Sequence, residues 1–312
     1  MTFSNKKPLV SVVMNCFNSA THLREAIDSV YSQAYSNWEI IFWDNVSTDQ
    51  SAEIAQSYDS RLRYFRGQET IPLGAARNEA MKQSQGEYIA FLDCDDLWFA
   101  SSLEDRIKAM LQQDCVICYA GVLEINESGH TLGSSIPKPK SGNIFNELLQ
   151  QFDINVPTVM IKKSCLIDSG LQFDKSVTAS EEYCLFMQLA VTYSFHVLPK
   201  ILAKYRIHEK SLTNHSISKW ADEREYTLRL IQKNHPAIET RYPKGFKEAY
   251  ARASYYRARY FLSKGKKTEA VGQLRKSIFV NYKYFLLFFL LMMPSAIWNF
   301  VHKRRTNRAS FS

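Results

Sequence analysis

Four short apolar runs, separated by segments with helical periodicity, constrain the fold of this chain more than any other feature of its sequence. The runs are residues 9–14, 38–43, 62–65 and 88–92. Ser19 and Ser47 are predicted to be the N-cap residues of two of the intervening helices, and the third helix is predicted at Leu73–Gln83. Strands alternating with helices in this way predict a doubly wound α/β sheet, which binds ligands beyond the carboxyl ends of its strands.

The rest of the chain extends this sheet and then changes character. Residues 101–113 and 181–193 read as helices, and residues 115–125, 156–162 and Phe195–Ile207 read as strands of a mixed sheet. Residues 133–142 contain two Pro and two Gly, which is typical of a loop and compatible with a mobile lid. From Lys219 onward the periodicity is only helical, with a break at Gly265. We therefore expect domains at residues 1–215, 216–283 and 284–312, the second being a helical extension.

Three carboxylates follow the fourth predicted strand. In the string GEYIAFLDCDDLW, a buried strand leads directly into Asp93, Asp95 and Asp96. Like charges at a buried edge are costly unless something neutralises them. Oxygen ligands suit Mg²⁺ or Mn²⁺, which proteins often hold with one or two carboxylates plus substrate phosphates. A helix N-cap would explain Asp96 alone, so the triplet predicts a site for one of these metals.

The charge of the chain is concentrated at its end. Residues 1–240 carry 23 Lys and Arg against 29 Asp and Glu, whereas residues 241–312 carry 16 against 2. An unbroken apolar run at residues 285–293 lies among these basic residues, which favours an anionic membrane surface over nucleic acid. The composition, 46% apolar with six scattered Cys, is that of a globular protein of a reducing cytosol, and the first residues lack the apolar segment of a secretory signal.

The apolar segment at residues 284–301 admits three interpretations. Its 18 residues reach about 27 Å as a helix, just short of a hydrocarbon core of about 30 Å. Spanning would place Lys303, Arg304, Arg305 and Arg308 on the outer side, against the positive-inside tendency. We therefore expect a helix lying in the cytoplasmic leaflet, with a spanning helix and a helix packed on protein as the alternatives.

Five motifs occur in a characteristic order. They are PLVSVVMNCFN, WEIIFWDNVSTDQS, GAARNEAMKQSQGEYIAFLDCDD, SEEYCLFMQLA and YRIHEKSLT. In this order and spacing, over residues 8–215, the chain resembles the inverting family 2 glycosyltransferases of the GT-A fold. The resemblance implies transfer of a sugar from a nucleotide-diphosphate sugar, most often a UDP-sugar, to a glycan or lipid-linked acceptor. It also suggests a role in bacterial cell-surface polysaccharide assembly.

The resemblance also implies roles for individual residues. Phe17 and Asn18 match the nucleotide-binding loop, Asp44 matches the acid that contacts the base, and Arg77 matches an arginine near the nucleotide. Asp93 is expected near the ribose and Asp95 on the metal. The second acid that the family usually has near Asp44 is absent, since the chain reads Asp44-Asn45-Val46-Ser47.

The later motifs imply the remaining roles. Glu182 matches the general base, although Glu181 stands beside it and is an alternative. Arg206 and His208 match a motif that faces the diphosphate or the metal.

Two other functional classes remain open from the sequence. One is a nucleotide-sugar-binding protein without turnover, and the other is a nucleotidyltransferase, for which the loop CFNSATHLR lacks the expected Gly-rich basic character. A dinucleotide oxidoreductase and a P-loop enzyme are disfavoured, because neither GxGxxG after the first strand nor GxxxxGK[ST] occurs.

Overall fold

The structure, a computed structural model, describes residues 7–113, 115–138, 140–208 and 217–292. The strands are β1 (Val10–Cys16), β2 (Trp38–Asp44), β3 (Leu62–Arg66), β4 (Tyr88–Phe91), β5 (Leu97–Trp98), β6 (Ile117–Asn126), β7 (Thr131–Ser135), β8 (Ser141–Gly142), β9 (Met160–Lys162) and β10 (Phe195–Ile207). The helices are α1 (Ala20–Tyr31), α2 (Ser51–Gln56), α3 (Leu73–Gln83), α4 (Ser102–Gln112), α5 (Phe145–Gln150), α6 (Lys163–Ser169), α7 (Glu181–Thr192), α8 (Ile217–Asn234), α9 (Ile238–Arg241), α10 (Pro243–Ser263), α11 (Lys267–Arg275) and α12 (Tyr282–Met292).

The strands form one mixed sheet in the order β3-β2-β1-β4-β9-β6-β10-β5, with β7 paired to β6 and β8 to β10. The first four strands of this order are parallel, and β9 is antiparallel to both β4 and β6. The pairing of β10 with β6 is parallel. The sheet thus continues past the first hundred residues and has both strand orientations. The predicted mixed α/β sheet is therefore present.

The register brings the ends of the central strands to one edge. Cys16 pairs with Asp44, and Asp44 pairs with Arg66, so β1, β2 and β3 end together. On the other side of β1, Val13 pairs with Phe91, which places Asp93 at the same edge. Alternate residues of β1 are buried in the main core with the apolar stripe of α1, so the sheet fixes this edge rigidly.

Two local predictions were wrong. The helix expected after Ser47 begins at Ser51, because the Ser47 hydroxyl accepts a hydrogen bond from the Asn18 amide N–H at 3.0 Å instead of capping a helix. The loop predicted at residues 133–142 has strand residues at both ends, since β7 extends to Ser135 and pairs with β6, and Ser141–Gly142 form β8 and pair with β10.

The chain divides into two compact units that are interleaved in sequence. The first comprises the chain up to Ile144, Ile154–Lys175 and Thr192–Ile207, and it contains the sheet. The second comprises Phe145–Asp153, Ser176–Val191 and the chain from His208 onward, and it contains α5, α7 and the later helices. The helical C-terminal part was predicted, but α5 and α7 join it because their apolar faces pack on its helices, for example Phe145 against Phe246.

Helix α12 holds the described part of the apolar tail. Tyr284, Leu287 and Leu291 are buried in a small core with α10 and α11. Four other apolar side chains of α12, those of Phe285, Leu286, Phe289 and Met292, are 44–60% exposed. No helix among residues 7–292 that the structure describes is long and apolar enough to cross a membrane. The remainder of the predicted 284–301 segment and the basic residues from Lys303 to Arg308 lie outside the described residues.

Candidate active site

The end of β2 contains a buried aspartate with partners on both oxygens. The Ser47 N–H donates to Asp44 Oδ1 at 2.7 Å. The Tyr64 hydroxyl donates to Oδ2 at 2.6 Å, and the Arg66 guanidinium forms an ion pair with the same oxygen. Asp44 is therefore firmly held at the sheet edge where β1, β2 and β3 end and where Asp93 follows β4. We call this the strand-end edge. The sequence predicted that Asp44 contacts a base there.

The loop after β1 is joined to the loop after β2. Asn18 has a positive φ of 52°, a conformation that Asn adopts more readily than most residues. Its side-chain oxygen accepts a hydrogen bond from the Thr48 N–H at 2.8 Å. The neighbouring Phe17 is 53% exposed, so its ring is accessible to a ligand at this edge. The two predicted nucleotide-loop residues thus differ, since Asn18 organises the loop and Phe17 presents a surface.

Arg77 and Asp93 form an ion pair beside β4. The guanidinium of Arg77 donates to Asp93 Oδ1 at 3.0 Å and lies over the Phe173 ring, 5.5 Å from its centroid. The Arg77 side chain is 4% exposed, whereas that of Asp93 is 33% exposed. A buried arginine thus holds a partly exposed carboxylate at this edge.

Arg206 of β10 holds the loop that contains Asp93, Asp95 and Asp96. Its backbone N–H donates to Asp96 Oδ1 at 2.8 Å, and its Nε donates to the carbonyl of Asp95 at 2.9 Å. The rest of the guanidinium donates to the Glu127 carbonyl at 2.8 Å and to Glu25 Oε2 at 2.9 Å. Because the Arg206 side chain is 2% exposed, these contacts favour a role in holding the loop over the predicted contact with a diphosphate.

Asp96 differs from the two acids before it. It is buried, and its Oδ2 has no hydrogen-bond partner among the described residues. Burial, reinforced by the charges of Asp95 and Asp93, raises the pKa of Asp96 well above its usual value. This carboxyl group belongs to the interior of the loop, although the sequence predicted it as a metal ligand.

The donor set is compatible with a divalent metal only in combination with a substrate. The described residues contain no group of three or more His, Cys, Asp or Glu that could hold a metal ion. Asp95 is half-buried and Asp93 one-third exposed, and two carboxylates plus substrate phosphates match the usual mode of Mg²⁺ or Mn²⁺ binding. Asp95 and Asp93 are therefore the residues that fit such an ion.

The acid pair, Glu181 and Glu182, belongs to the second unit and begins α7. Glu181 is 5% exposed and Glu182 is half-buried. The Ser180 carbonyl accepts the first helical hydrogen bond, from the Cys184 N–H at 3.1 Å, so the pair occupies the first turn. The predicted metal or diphosphate residue His208 also belongs to the second unit, directly follows β10 and is half-buried.

Sequence reasoning missed two thiols at the strand-end edge, those of Cys16 and Cys94. Both side-chain polar atoms of the neighbouring Asn15, near the end of β1, are buried without a partner in the part of the chain that the structure describes. Cys94 donates to the Asn15 carbonyl at 3.2 Å. A hydrogen bond with Cys94 lowers the pKa of Cys16 to about 7.

Comparisons with known proteins give a consistent relationship. The model of the glycosyl transferase family 2 matches residues 11–168. An uncharacterized glycosyltransferase of Rickettsia felis is 34% identical over 224 residues, which are 71% of this chain and 36% of that protein. The chain thus spans little more than a third of the length of that relative.

Two further comparisons carry more specific descriptions. The Escherichia coli UDP-Glc:alpha-D-GlcNAc-diphosphoundecaprenol beta-1,3-glucosyltransferase WfgD is 29% identical over 209 residues, covering 66% of this chain and 80% of that protein. The crystal structure of S. aureus TarS 1-349 in complex with UDP-GlcNAc aligns with a TM-score of 0.66 and 20% identity, covering 86% of this chain and 79% of that one. This structural likeness confirms the predicted GT-A type of fold.

Proposed function

Since the chain belongs to glycosyl transferase family 2, we propose that it is a glycosyltransferase that moves a sugar from a nucleotide-diphosphate sugar to an acceptor hydroxyl. The observation that carries this proposal is the strand-end edge, where Asp44, Arg77, Asp93 and the clamped Asp95 meet within the region that the family model matches. A UDP-sugar donor and a glycan or lipid-linked acceptor are supported by the description of WfgD and by the UDP-GlcNAc complex of TarS.

Different residues of the strand-end edge bind different parts of the nucleotide-sugar donor. Asp44, which is buried and bonded on both oxygens, holds the loop against which the base binds, and the exposed Phe17 ring covers the base by stacking. Asp93 contacts the ribose, oriented by its ion pair with Arg77. Asn15 adds an amide whose buried donor and acceptor find partners on the bound nucleotide.

Asp95 and Asp93 would hold Mn²⁺ or Mg²⁺ together with the donor diphosphate. His208, which directly follows β10, is the residue that the last sequence motif assigns to the diphosphate or the metal. Such an ion, when bound, supplies positive charge to the leaving diphosphate. Arg206 keeps the Asp95 backbone in place, so the carboxylate is preorganised before the donor arrives.

Glu182 takes the proton of the acceptor hydroxyl as the sugar is transferred. One base and one leaving group on opposite sides of the sugar correspond to a single displacement, which inverts the anomeric configuration. Glu181 is the alternative base, but its 5% exposure makes it less accessible to an acceptor than Glu182.

The apolar face of α12 makes the membrane interface of the protein in this proposal. Four of its apolar side chains are exposed, Lys283 is an exposed basic residue of the same helix, and Lys276 is exposed directly after α11. Residues 241–312 carry 16 basic against 2 acidic residues. An apolar face beside positive charge binds anionic bilayer surfaces. We accordingly place the protein peripherally on the cytoplasmic face of the membrane, close to lipid-linked acceptors.

A vesicle assay tests the membrane proposal. Full-length protein is sedimented with phosphatidylcholine vesicles that contain or lack phosphatidylglycerol. Replacement of Phe285 and Phe289 by Ser is expected to release protein from the anionic vesicles, whereas replacement of the exposed Leu132 and Ile136, which lie elsewhere on the chain, is expected to leave binding unchanged. Equal sedimentation of both variants would contradict the assignment.

Radiolabelled nucleotide sugars test the enzymatic function itself. The full chain is incubated with each donor, Mn²⁺ and a panel of glycan and lipid-diphosphate acceptors. Sugar transfer with an inverted product linkage supports the proposal. Binding without turnover, or release of pyrophosphate, would support instead a binding protein or a nucleotidyltransferase.

A further inference from the structure

One carboxylate holds the segment that precedes the acid pair. Glu223 lies on α8, and its Oε1 accepts hydrogen bonds from the Thr178 N–H at 2.9 Å and the Thr178 hydroxyl at 3.1 Å. Its Oε2 accepts from the Ala179 N–H at 2.9 Å and the Ser180 hydroxyl at 3.1 Å. Three consecutive residues are thus tied to a single side chain 43 to 45 positions away.

These contacts determine where α7 begins. Ser180 is buried, and its carbonyl accepts the first hydrogen bond of α7. The N–H groups of Thr178 and Ala179 precede the helix, so their hydrogen bonds are supplied by Glu223 and not by helical carbonyls. One turn before Glu223 on α8, Lys219 donates to Thr178 Oγ1 at 2.9 Å.

The residue that follows the acid pair is held by the same helix. The guanidinium of Arg224 lies over the Tyr183 ring, 4.2 Å from its centroid. It also lies 5.1 Å from the ring centroid of Tyr256 and 5.7 Å from that of Phe152. Consecutive residues of α8 therefore fix both ends of the acid pair, one through hydrogen bonds and the other through cation–π contacts.

We propose that Glu223 is a positioning residue for sugar transfer, which fixes the backbone before the acid pair so that the base points correctly at the acceptor. This inference rests on the proposed function, in which Glu182 or Glu181 is the base. Hydrogen bonds to a carboxylate are among the stronger ones in proteins, and four of them leave little freedom to the segment. A displacement of a catalytic group by about 1 Å can cost roughly 10²-fold in rate.

The first test compares two carboxylates of α8. Glu223→Gln replaces an acceptor oxygen with an NH₂ group that faces N–H and O–H donors, so we expect kcat to fall about 10- to 100-fold. The dissociation constant of UDP should stay unchanged. Glu225→Gln is the matched control, because among the described residues Glu225 pairs with Arg229 and Arg257 and not with the segment before α7, and it should retain wild-type kcat. Equal kcat for the two variants would overturn the proposal.

Conservative variants separate positioning from folding. Glu223→Asp keeps the charge and should recover part of the lost rate. Thermal melting reports whether each variant is folded. If Glu223→Gln does not fold, Thr178→Val serves in its place, since it removes one hydroxyl from an exposed residue. A folded Thr178→Val with unchanged kcat would then count against the proposal.

A double-mutant cycle shows whether Glu223 acts through the base. In the background of Glu182→Gln, or of Glu181→Gln if that is the slow variant, adding Glu223→Gln should lower kcat no further. An additional full loss in the double variant would overturn the positioning role. If neither single acid variant lowers kcat, the proposed base itself is wrong; if one does and Glu223→Gln does not, only the positioning role is wrong.

Discussion

One buried aspartate ends β2 and another lies in the loop that follows β4, but the two acids are surrounded very differently. Asp44 has an N–H donor on one oxygen and a hydroxyl and a guanidinium on the other. Asp96 has a backbone N–H on one oxygen, and its other oxygen has no hydrogen-bond partner in the described chain. Two equally buried acids at this edge therefore have different roles, because their hydrogen-bond partners differ.

This comparison separates three roles within one edge. Asp44 is a satisfied acceptor that organises the loop after β2. Asp96 is an interior group whose raised pKa favours a neutral carboxyl. Asp95 has a third role: Arg206 fixes its backbone, and the residue is only half-buried, so its carboxylate is the one available to a metal. Replacing each acid by its amide distinguishes the roles.

The largest effect is expected for Asp95→Asn. Loss of this carboxylate removes a proposed metal ligand, so transfer should be abolished and the response to Mn²⁺ should flatten. The measurement is the rate of sugar transfer over a Mn²⁺ titration. A variant that retains more than about a tenth of the wild-type rate, a loss of under ~1.4 kcal/mol of barrier, would show that Asp95 is not the metal ligand.

A large effect on stability is expected for Asp44→Asn. The new amide would present an NH₂ group to the Tyr64 hydroxyl or to the Arg66 guanidinium, both of which need an acceptor. Unsatisfied buried groups cost about 1–3 kcal/mol each, so the free energy of unfolding should fall by that order. Urea denaturation measures this loss, and UDP affinity should fall with it.

Asp59→Asn is the matched control for the β2 aspartate. Asp59 also pairs with an arginine, Arg61, but the pair is exposed and such pairs contribute little. Comparable losses in the two variants would mean that the Asp44 network does not differ from a surface ion pair.

The sequence predicted elements whose signal is local. Helix α3 and strand β10 were predicted with the bounds that the structure shows, because each has its own periodicity. The helix start at Ser51 and the strand β7 were missed, because both depend on residues far away in sequence. The backbone N–H of Asn18 donates to the Ser47 hydroxyl, and β7 forms by pairing with β6.

The candidate site shows the same limit. The sequence predicted Asp93, Asp95 and Asp96 together as metal ligands, and the contact that sets Asp96 apart comes from Arg206, 110 residues later. Glu223 could not be predicted to touch the segment before the acid pair, since a glutamate on an amphipathic helix is ordinarily a solvated residue.

A small effect is expected for Asp96→Asn. An Asn oxygen can still accept the hydrogen bond of the Arg206 N–H, and the amide nitrogen takes the place of an oxygen that has no partner among the described residues. The transfer rate should stay within about threefold of wild type, equivalent to ~0.7 kcal/mol of barrier. A loss as large as that of Asp95→Asn would identify Asp96 as a metal ligand, as its place in the sequence motif suggested.

The smallest effect is expected for a third buried acid, Glu124 on β6. It is separated in sequence from Asp93, Asp95 and Asp96, so it tests how burial alone affects the pKa and the stability. Burial raises the pKa of Glu124 above its ordinary value of 4.5. Because the folded state then binds the proton more tightly than the unfolded state, the stability from this group is complete below pH 4.5 and is lost as pH rises through the folded pKa. Glu124→Gln cannot ionise and escapes that loss.

The variant should therefore gain in Tm relative to the wild type as the pH rises from 4 to 8, because only the wild-type side chain has to give up its buried proton. Differential scanning calorimetry at a series of pH values measures this difference. A gap between the two proteins that is constant with pH, or that reverses, would mean that burial of Glu124 is offset by a favourable partner. A gap that widens as pH rises would extend to β6 the rule drawn from the two strand ends, that a buried acid without a compensating cation is held most stably in its neutral form.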